Sequence, residues 1–204
     1  MIIGGGTGKH EVSARLTHDR ERLQVLRIRA QLARLHPAIR FVILFLAFLL
    51  ILSLMFSVAS AVFNPHMLAF MALTAKLVGG IVNVAGIAAT VQDRYISAPQ
   101  LAVEIIEECT GLYEIVIFVA AVLAYPATRR EKMIGVAAGI ILLYALNLAR
   151  MVFLVIVGNA RPDWFEFFHV YFWQASLILM ITSVWLLWIV RVVRYGARRP
   201  AVHP

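Results

Sequence analysis

The feature that most limits the fold is a set of long apolar runs that carry almost no charge. In residues 39–63 Arg40 is the one charged residue, and further runs occupy residues 111–128, 133–157 and 167–190. About 20 apolar residues suffice for a helix to cross the hydrocarbon core of a bilayer. The chain is 62% hydrophobic, against roughly 45–50% in soluble domains, and a chain of this size has no core that could bury the excess. The sequence therefore predicts an all-α polytopic membrane protein with about four transmembrane helices.

Basic residues flank these runs and do not form one continuous basic surface. Clusters lie in residues 9–40, 129–132 and 191–199, each beside an apolar run. This is how the cytoplasmic anchors of membrane proteins are arranged. The distribution argues against nucleic-acid binding despite the net charge of +8, and it places both termini and the 129–132 turn in the cytoplasm.

This pattern divides the chain into three regions. They are a basic N-terminal tail and helix (1–38), a transmembrane core (39–190) and a basic C-terminal tail (191–204). In the N-terminal region, residues 11–36 have charged and apolar residues at helical spacing, which predicts a cytoplasmic or interfacial helix that ends near Pro37.

The stretch between the first two spans is apolar but is predicted not to cross. If residues 66–91 crossed, the 129–132 turn and the C-terminal tail would both move outside and violate the positive-inside rule. Lys76, near the middle of the segment, also suits an interfacial helix. From 86 to 107 apolar residues alternate with small and polar ones around a break at Pro99, which predicts a short extracytoplasmic β-hairpin.

Three chemically notable residues fall near the outer ends of the predicted spans. Cys109 is at the entrance of the second span and His169 at the start of the fourth. Arg150 lies in the third span, about 10 Å below its outer end at 1.5 Å per residue, where an arginine usually faces a protein interior or an aqueous cavity. The set suits thiol catalysis, in which a thiolate attacks a carbonyl and a histidine moves the proton. The arginine would lower the pKa of the thiol or bind the oxyanion.

Four polar residues are candidates for orienting this set or binding substrate. Asn147, three residues before Arg150, shares its helix face and would orient it or add a donor. The candidates for orienting the histidine are Glu166 and Asp163, three and six residues before it, and the sequence does not choose between them. Glu114, one turn into the second span, either belongs to the site or reaches water. The six histidines lack ligand spacing, so no metal site is predicted, and no cofactor is implied.

Each of these residues also has an ordinary interpretation. A cysteine in a membrane helix is commonly an inert small hydrophobe, and a histidine at a helix end is commonly an interfacial amphiphile. Two other functions therefore stay open from the residues alone. One is a non-catalytic membrane scaffold, and the other is a small transporter in which Arg150 binds an anion.

Three short segments, taken together and in order, resemble the exosortase/archaeosortase family. That family has a C-[ST]-G segment, an N-x-x-R segment and a later histidine, each on its own helix. The resemblance extends over roughly residues 39–190 and is closest to the compact H-type exosortases. The matching segments are C-T-G at 109–111, N-L-A-R at 147–150 and F-H at 168–169.

The resemblance implies a membrane cysteine transpeptidase of the bacterial inner membrane with its active site on the extracytoplasmic face. It makes Cys109 the nucleophile, Arg150 the transition-state stabiliser and His169 the acid/base. The implied partners are the lipid bilayer and exported proteins with a tripartite, PEP-CTERM-like C-terminal signal: a short motif, a transmembrane helix and a basic cluster. The thioester would be transferred to an unknown envelope acceptor or to water, and the residues do not separate these two outcomes.

Overall fold

A computed structural model of the protein describes residues 36–168 and 173–193, with the backbone alone for residues 165, 166, 173 and 174. The predicted N-terminal interfacial helix at 11–36 lies outside these residues, apart from its last position. By contacts the chain divides into residues 1–44 and residues 45–204. The helices are α1 (Pro37–Val62), α2 (Asn64–Val84), α3 (Leu112–Ala124), α4 (Arg129–Ala160), α5 (Pro162–Phe167) and α6 (Trp173–Trp188).

Four helices of the described chain are long and apolar enough to cross a membrane, which confirms the predicted all-α polytopic class. They are Pro37–Val62, Asn64–Val84, Arg129–Ala160 and Ala175–Val193. The set differs from the predicted spans at two places. It includes α2, which was predicted to be interfacial, and it leaves out α3, whose 13 residues extend only about 20 Å. Length and composition permit α2 to cross but do not require it, so its interfacial placement stays a prediction.

The α2 helix buries one stripe of small and apolar residues. Its buried positions recur at helical spacing, so they face one side. At Gly79 a Cβ atom would collide with the side chain of Val91 in the sheet. This glycine therefore lets the helix and the first strand approach closely. The buried residues of α2 are Met71, Thr74, Ala75, Val78, Gly79 and Val82.

A small antiparallel sheet stands where the β-hairpin was predicted, and it has a third strand. The strands are β1 (Thr90–Gln92), β2 (Tyr95–Ala98) and β3 (Leu101–Glu104), in the order β1-β2-β3. Asp93 takes a positive φ of 55° in the tight β1–β2 turn, a conformation that Asp tolerates better than most residues. The next residue, Arg94, makes a 2.7 Å ion pair with Glu104 across the sheet.

Two asparagines attach this sheet to the helices. The side chain of Asn83 both donates to the carbonyl of Ala89 and accepts from its N–H, each at 2.8 Å. Asn159, at the end of α4, accepts a hydrogen bond from the N–H of Gln100 at 3.0 Å. The sheet is thereby fixed at both ends, and β3 leads directly into the segment that carries Cys109.

The long helix α4 is central, since α2, α3, α5 and α6 all pack against it. It begins with a capping box, in which Thr128 and Glu131 each bond the other's backbone N–H. At Gly135 and Gly139 a Cβ atom would collide with the rings of Trp188 and Phe118. These two glycines, four residues apart, therefore allow close helix packing.

Candidate functional site

Cys109 lies in a short 3₁₀ helix, Glu107–Thr110, between β3 and α3. Cys109 is 8% exposed and belongs to an apolar cluster that also contains Ala75 of α2, Ile96 of β2 and Met151 of α4. The sequence predicted the cysteine at the outer entrance of a span. The structure places it just before α3, among residues of two other helices and the sheet.

Thr110 and Gly111 each have a structural reason to follow the cysteine. The hydroxyl of Thr110, fully buried, donates to the carbonyl of Glu107 at 2.6 Å and closes the 3₁₀ turn. Gly111 has a φ of 80°, in the left-handed region where glycine is favoured. A Cβ atom on Gly111 would also stand 2.9 Å from Nδ2 of Asn147. The Cys-Thr-Gly motif is therefore a turn that brings the cysteine backbone against α4.

Asn147 holds that turn from α4. Its side chain is 1% exposed, and its Nδ2 donates to the backbone carbonyl of Cys109 at 2.8 Å. The sequence predicted that Asn147 would orient Arg150 or add a donor, and in the structure its Nδ2 donates to the backbone of the cysteine. Its Oδ1 is buried and accepts no hydrogen bond from the described part of the chain. An acceptor in this state is available to a substrate N–H or a water molecule.

Arg150 and Glu114 are buried beside the cysteine. Each is 5% exposed. Arg150 interacts electrostatically with Glu114 and with Cys109. It lies ten residues before the end of α4 at Ala160, about 15 Å along the helix, so it is deeper than the predicted end at residue 157 implied. The structure thus brings Cys109, Glu114, Asn147 and Arg150 to one buried site.

The surroundings of the Cys109 thiol favour its neutral form. Burial raises its pKa above the ordinary value for cysteine, and the nearby carboxylates of Glu108 and Glu114 add to this. Hydrogen bonding to the backbone of Ile106 and the charge of Arg150 lower the pKa, but they do not offset the burial. A nucleophilic role therefore requires a group that removes the thiol proton during the reaction.

The remaining predicted residues lie in or after α5. Asp163 is exposed in this helix, and only the backbone of Glu166 is described. His169 lies outside the described residues. Its neighbour Phe168 packs edge-on against Phe153 of α4, with ring centroids 5.7 Å apart. Phe168, the residue before His169, therefore contacts α4 one turn after Arg150.

A polar contact that the sequence interpretation did not anticipate lies on the same face of α4. The hydroxyls of Thr74 and Tyr144 are 3.1 Å apart, and Thr74 is fully buried. Tyr144 precedes Asn147 by three residues, as Asn147 precedes Arg150. This i, i+3 series is the sequence signal by which the tyrosine could have been found. Among the described side chains, no three of His, Cys, Asp or Glu come together as a metal site.

Comparison with known proteins bears on the whole of this site. The family described as transmembrane exosortase matches residues 31–189. The chain belongs to the transmembrane exosortase family. Residues 109–111, 147–150 and 169 all fall inside the matched range, so this exosortase carries its candidate site within the part that defines the family.

This exosortase is also similar to a curated archaeal protein. It is 30% identical over 81 residues to a probable archaeosortase E of Methanocaldococcus jannaschii, which is 40% of this chain and 44% of that protein. The similarity thus spans less than half the length of the relative. No solved structure matches the chain. Family membership and the four long apolar helices of the described chain indicate a multi-pass membrane protein.

Proposed function

We propose that this exosortase is a membrane cysteine transpeptidase that cleaves the C-terminal sorting signal of exported proteins through a thioester at Cys109. The observation that carries the proposal is the burial of Cys109 and Arg150 in one site, with Asn147 fixing the cysteine backbone. A guanidinium beside a thiol favours the thiolate and can stabilise the oxyanion that forms when the thiolate attacks an amide.

In the proposed reaction the Cys109 thiolate attacks the carbonyl carbon of the scissile peptide bond. The Arg150 guanidinium stabilises the oxyanion that forms. The C–N bond then breaks, His169 supplies the proton that the leaving amine takes up, and a thioester remains on Cys109. An acceptor amine or a water molecule attacks the thioester, and the thiol is regenerated as the substrate is released.

Cys109 must lose its proton before it attacks, since its burial favours the neutral thiol. His169 is the proposed base, and it would return the same proton to the leaving amine. The packing of Phe168 on Phe153 supports this role, because Phe168 directly precedes His169 and Phe153 is on the helix that carries Arg150. The side chain of Glu166 or Asp163 would orient the imidazole.

The proposed substrates carry a short motif, a transmembrane helix and a basic cluster at the C-terminus. The proposed location is the bacterial inner membrane, with the termini in the cytoplasm and the site at the extracytoplasmic face. Basic clusters beside residues 39–63, at 129–132 and at 191–199 support this orientation. A substrate anchored by its helix would present its scissile bond at the membrane boundary, where Cys109 is expected.

The test is co-expression with a protein from the same genome that carries such a signal, comparing the wild type with Cys109→Ala. We expect the wild type to shorten the substrate and to form a hydroxylamine-sensitive adduct, and the variant to do neither. Equal processing by both proteins would refute thiol catalysis. If the substrate stays uncleaved and mass spectrometry finds no adduct at Cys109, the result would favour the alternative that this protein is a non-catalytic membrane scaffold.

A transporter makes a different prediction in the same cells. Its function would depend on Arg150 and not on Cys109. Arg150→Gln is therefore included beside Cys109→Ala. Loss of substrate shortening in both variants supports the enzyme, since the proposed reaction needs both side chains.

A further inference from the structure

An apolar groove lies between α4 and α6, at the end of the bundle where α4 begins and α6 ends. Its volume is about 340 Å³, within the range of roughly 300–1,000 Å³ that is typical of ligand pockets in proteins. None of the residues of the candidate site lines it. The groove therefore needs an occupant that the proposed reaction does not supply.

The walls of the groove suit a flexible apolar chain. Its buried part includes Gly139 and the rings of Phe118 and Trp188, whereas Ile134 and Leu187 on its rim are exposed. Exposed apolar side chains on spanning helices face the acyl chains of the bilayer, which are as apolar as leucine. An acyl chain can thus enter the groove from the surrounding membrane without losing apolar contact.

Arg191 gives the groove a charged end. It is the one charged residue among the described residues that line the groove. It lies on the π-helical turn Ile189–Val193 that continues α6, and it is exposed. An arginine at the end of a span lays its aliphatic stem along apolar surface and extends its guanidinium to the headgroups. Within the described part of the chain, no carboxylate forms an ion pair with this guanidinium.

The same end of the bundle is basic as a whole. The indole of Trp188 donates to the backbone carbonyl of Glu131 at 2.9 Å, which brings the end of α6 against the basic 129–132 turn. The carboxylate of Glu131 already accepts hydrogen bonds from the N–H and the hydroxyl of Thr128. Residues 194–204 add three arginines and no acid. An anionic headgroup is therefore favoured here over a zwitterionic one.

Charge also argues against two other apolar occupants. The proposed substrates carry a basic cluster at the end of their helix, and this cluster would meet Arg191 and the 129–132 turn. A second copy of the chain, packed by two-fold symmetry in the same membrane, would place two identical basic ends side by side. Both occupants would add positive charge where the protein already has an excess of it.

We propose that this groove binds an anionic phospholipid, with one acyl chain between α4 and α6 and the phosphate on the guanidinium of Arg191. The planar donors of an arginine match two oxygens of a phosphate group. A lipid held in this way contacts both helices and stabilises their packing, because it binds only the folded protein. The site requires neither Cys109 nor a substrate, so it does not depend on the proposed function.

The headgroup is tested by native mass spectrometry of the full chain, delipidated in detergent and given phosphatidylglycerol or phosphatidylcholine with identical acyl chains. We expect the wild type to bind phosphatidylglycerol at least about fivefold more tightly. Arg191→Gln should lose this preference, and Arg191→Lys should keep most of it. Arg161→Gln, which removes an exposed arginine at the other end of α4, should behave as the wild type. Equal affinity of the wild type for the two lipids, or a preference that survives Arg191→Gln, would overturn the proposal.

The acyl chain is tested by filling the groove. Ala138 is exposed and lines the groove, whereas its neighbour Ala137 is exposed but does not line it. Ala138→Leu should lower the affinity for phosphatidylglycerol by at least about tenfold, because the larger side chain displaces methylene groups of the lipid. Ala137→Leu is the matched control and should stay within about twofold of the wild type. Both variants should melt within a few degrees of it, and equal affinities in the two would overturn the proposal.

Two further results would assign the groove to a different occupant. The first is a wild-type dimer in the same spectra that Ala138→Leu dissociates and Ala137→Leu does not, which would show a second copy of the chain. The second is binding of a synthetic apolar helix with a C-terminal basic cluster that Ala138→Leu abolishes and phosphatidylglycerol does not affect. Either result would overturn the assignment of the groove to a lipid.

Discussion

The side-chain amide of Asn147 donates a 2.8 Å hydrogen bond to the backbone carbonyl of Cys109. This bond joins the central helix α4 to the 3₁₀ helix that carries the thiol. Arg150 lies one turn further along α4, so one helix face fixes the cysteine and supplies the guanidinium. The distance between the thiol and the guanidinium therefore depends on how the 3₁₀ helix packs against this face of α4.

Asn147→Ala should impair cleavage more than it impairs folding. Loss of the amide leaves a buried carbonyl without its donor, at a cost of about 1–3 kcal/mol in the free energy of unfolding. We expect cleavage of a signal peptide to fall by about 10- to 100-fold, because small displacements of a nucleophile are costly. The rate is measured on protein that elutes as a single species in detergent.

Asn159→Ala is the matched control for this variant. Asn159 is on the same helix and also bonds a backbone group, the N–H of Gln100, but that group is in the turn between β2 and β3 and not in the segment that carries the thiol. We expect its cleavage rate to remain within twofold of the wild type. Equal rates in the two variants would show that the bond to Cys109 has no part in catalysis.

Periodicity and charge predicted much of this arrangement. The charge pattern and the apolar runs indicated the membrane class, and the three-residue spacing placed Asn147 and Arg150 on one face of a helix. Spacing within a helix does not say which neighbour a side chain meets. The sequence therefore left two roles open for Asn147, orienting Arg150 or adding a donor, and did not predict the cysteine carbonyl as its partner. The alternation after Pro99 included Leu101–Glu104, but the division of the stretch before Pro99 into β1 and β2 was not predicted. These two strands have only three and four residues, too few for alternation to separate them.

Gly111→Ala should destabilise the protein and displace the site. An alanine at a φ of 80° is strained, and its Cβ would stand 2.9 Å from Nδ2 of Asn147. We expect a loss of at least about 2 kcal/mol, measured as a lower melting temperature by tryptophan fluorescence in detergent.

Gly80→Ala is the control for the glycine prediction. Gly80 lies within α2, and a Cβ atom there would meet nothing within 4 Å. Alanine should stabilise the helix by about 0.5–1 kcal/mol relative to glycine. If both alanine variants melted at or above the wild-type temperature, the tight fit of Gly111 against Asn147 would be disproved.

Thr110 should accept serine but not valine. Its hydroxyl is fully buried and donates to the carbonyl of Glu107. Thr110→Val keeps the shape but removes the donor, and we expect it to cost about 1–3 kcal/mol. Thr110→Ser keeps the hydroxyl and should melt within a few degrees of the wild type. A valine variant as stable as the serine variant would show that the turn does not need this bond.

The reactivity of Cys109 should depend on pH as expected for a thiol that is more weakly acidic than usual. Burial raises the pKa of this thiol, so the rate of alkylation by iodoacetamide should reach half its maximum above about pH 8.5, the ordinary value for cysteine. The chain has one cysteine, so labelling reports on this site alone. Between the two pKa values the native state binds more protons than the unfolded state, so stability should fall as pH rises through that interval.

Arg150→Gln tests the cause of the remaining acidity. The arginine favours the thiolate, so its removal should move the alkylation midpoint to still higher pH. Arg161→Gln serves as the control, because Arg161 is exposed just after α4 and should leave the midpoint unchanged. A wild-type midpoint at or below pH 8.5 would contradict the raised pKa of the thiol. Equal midpoints in the wild type and Arg150→Gln would show that the guanidinium has no electrostatic effect on the thiol. The main support for its role as an oxyanion stabiliser would then be lost.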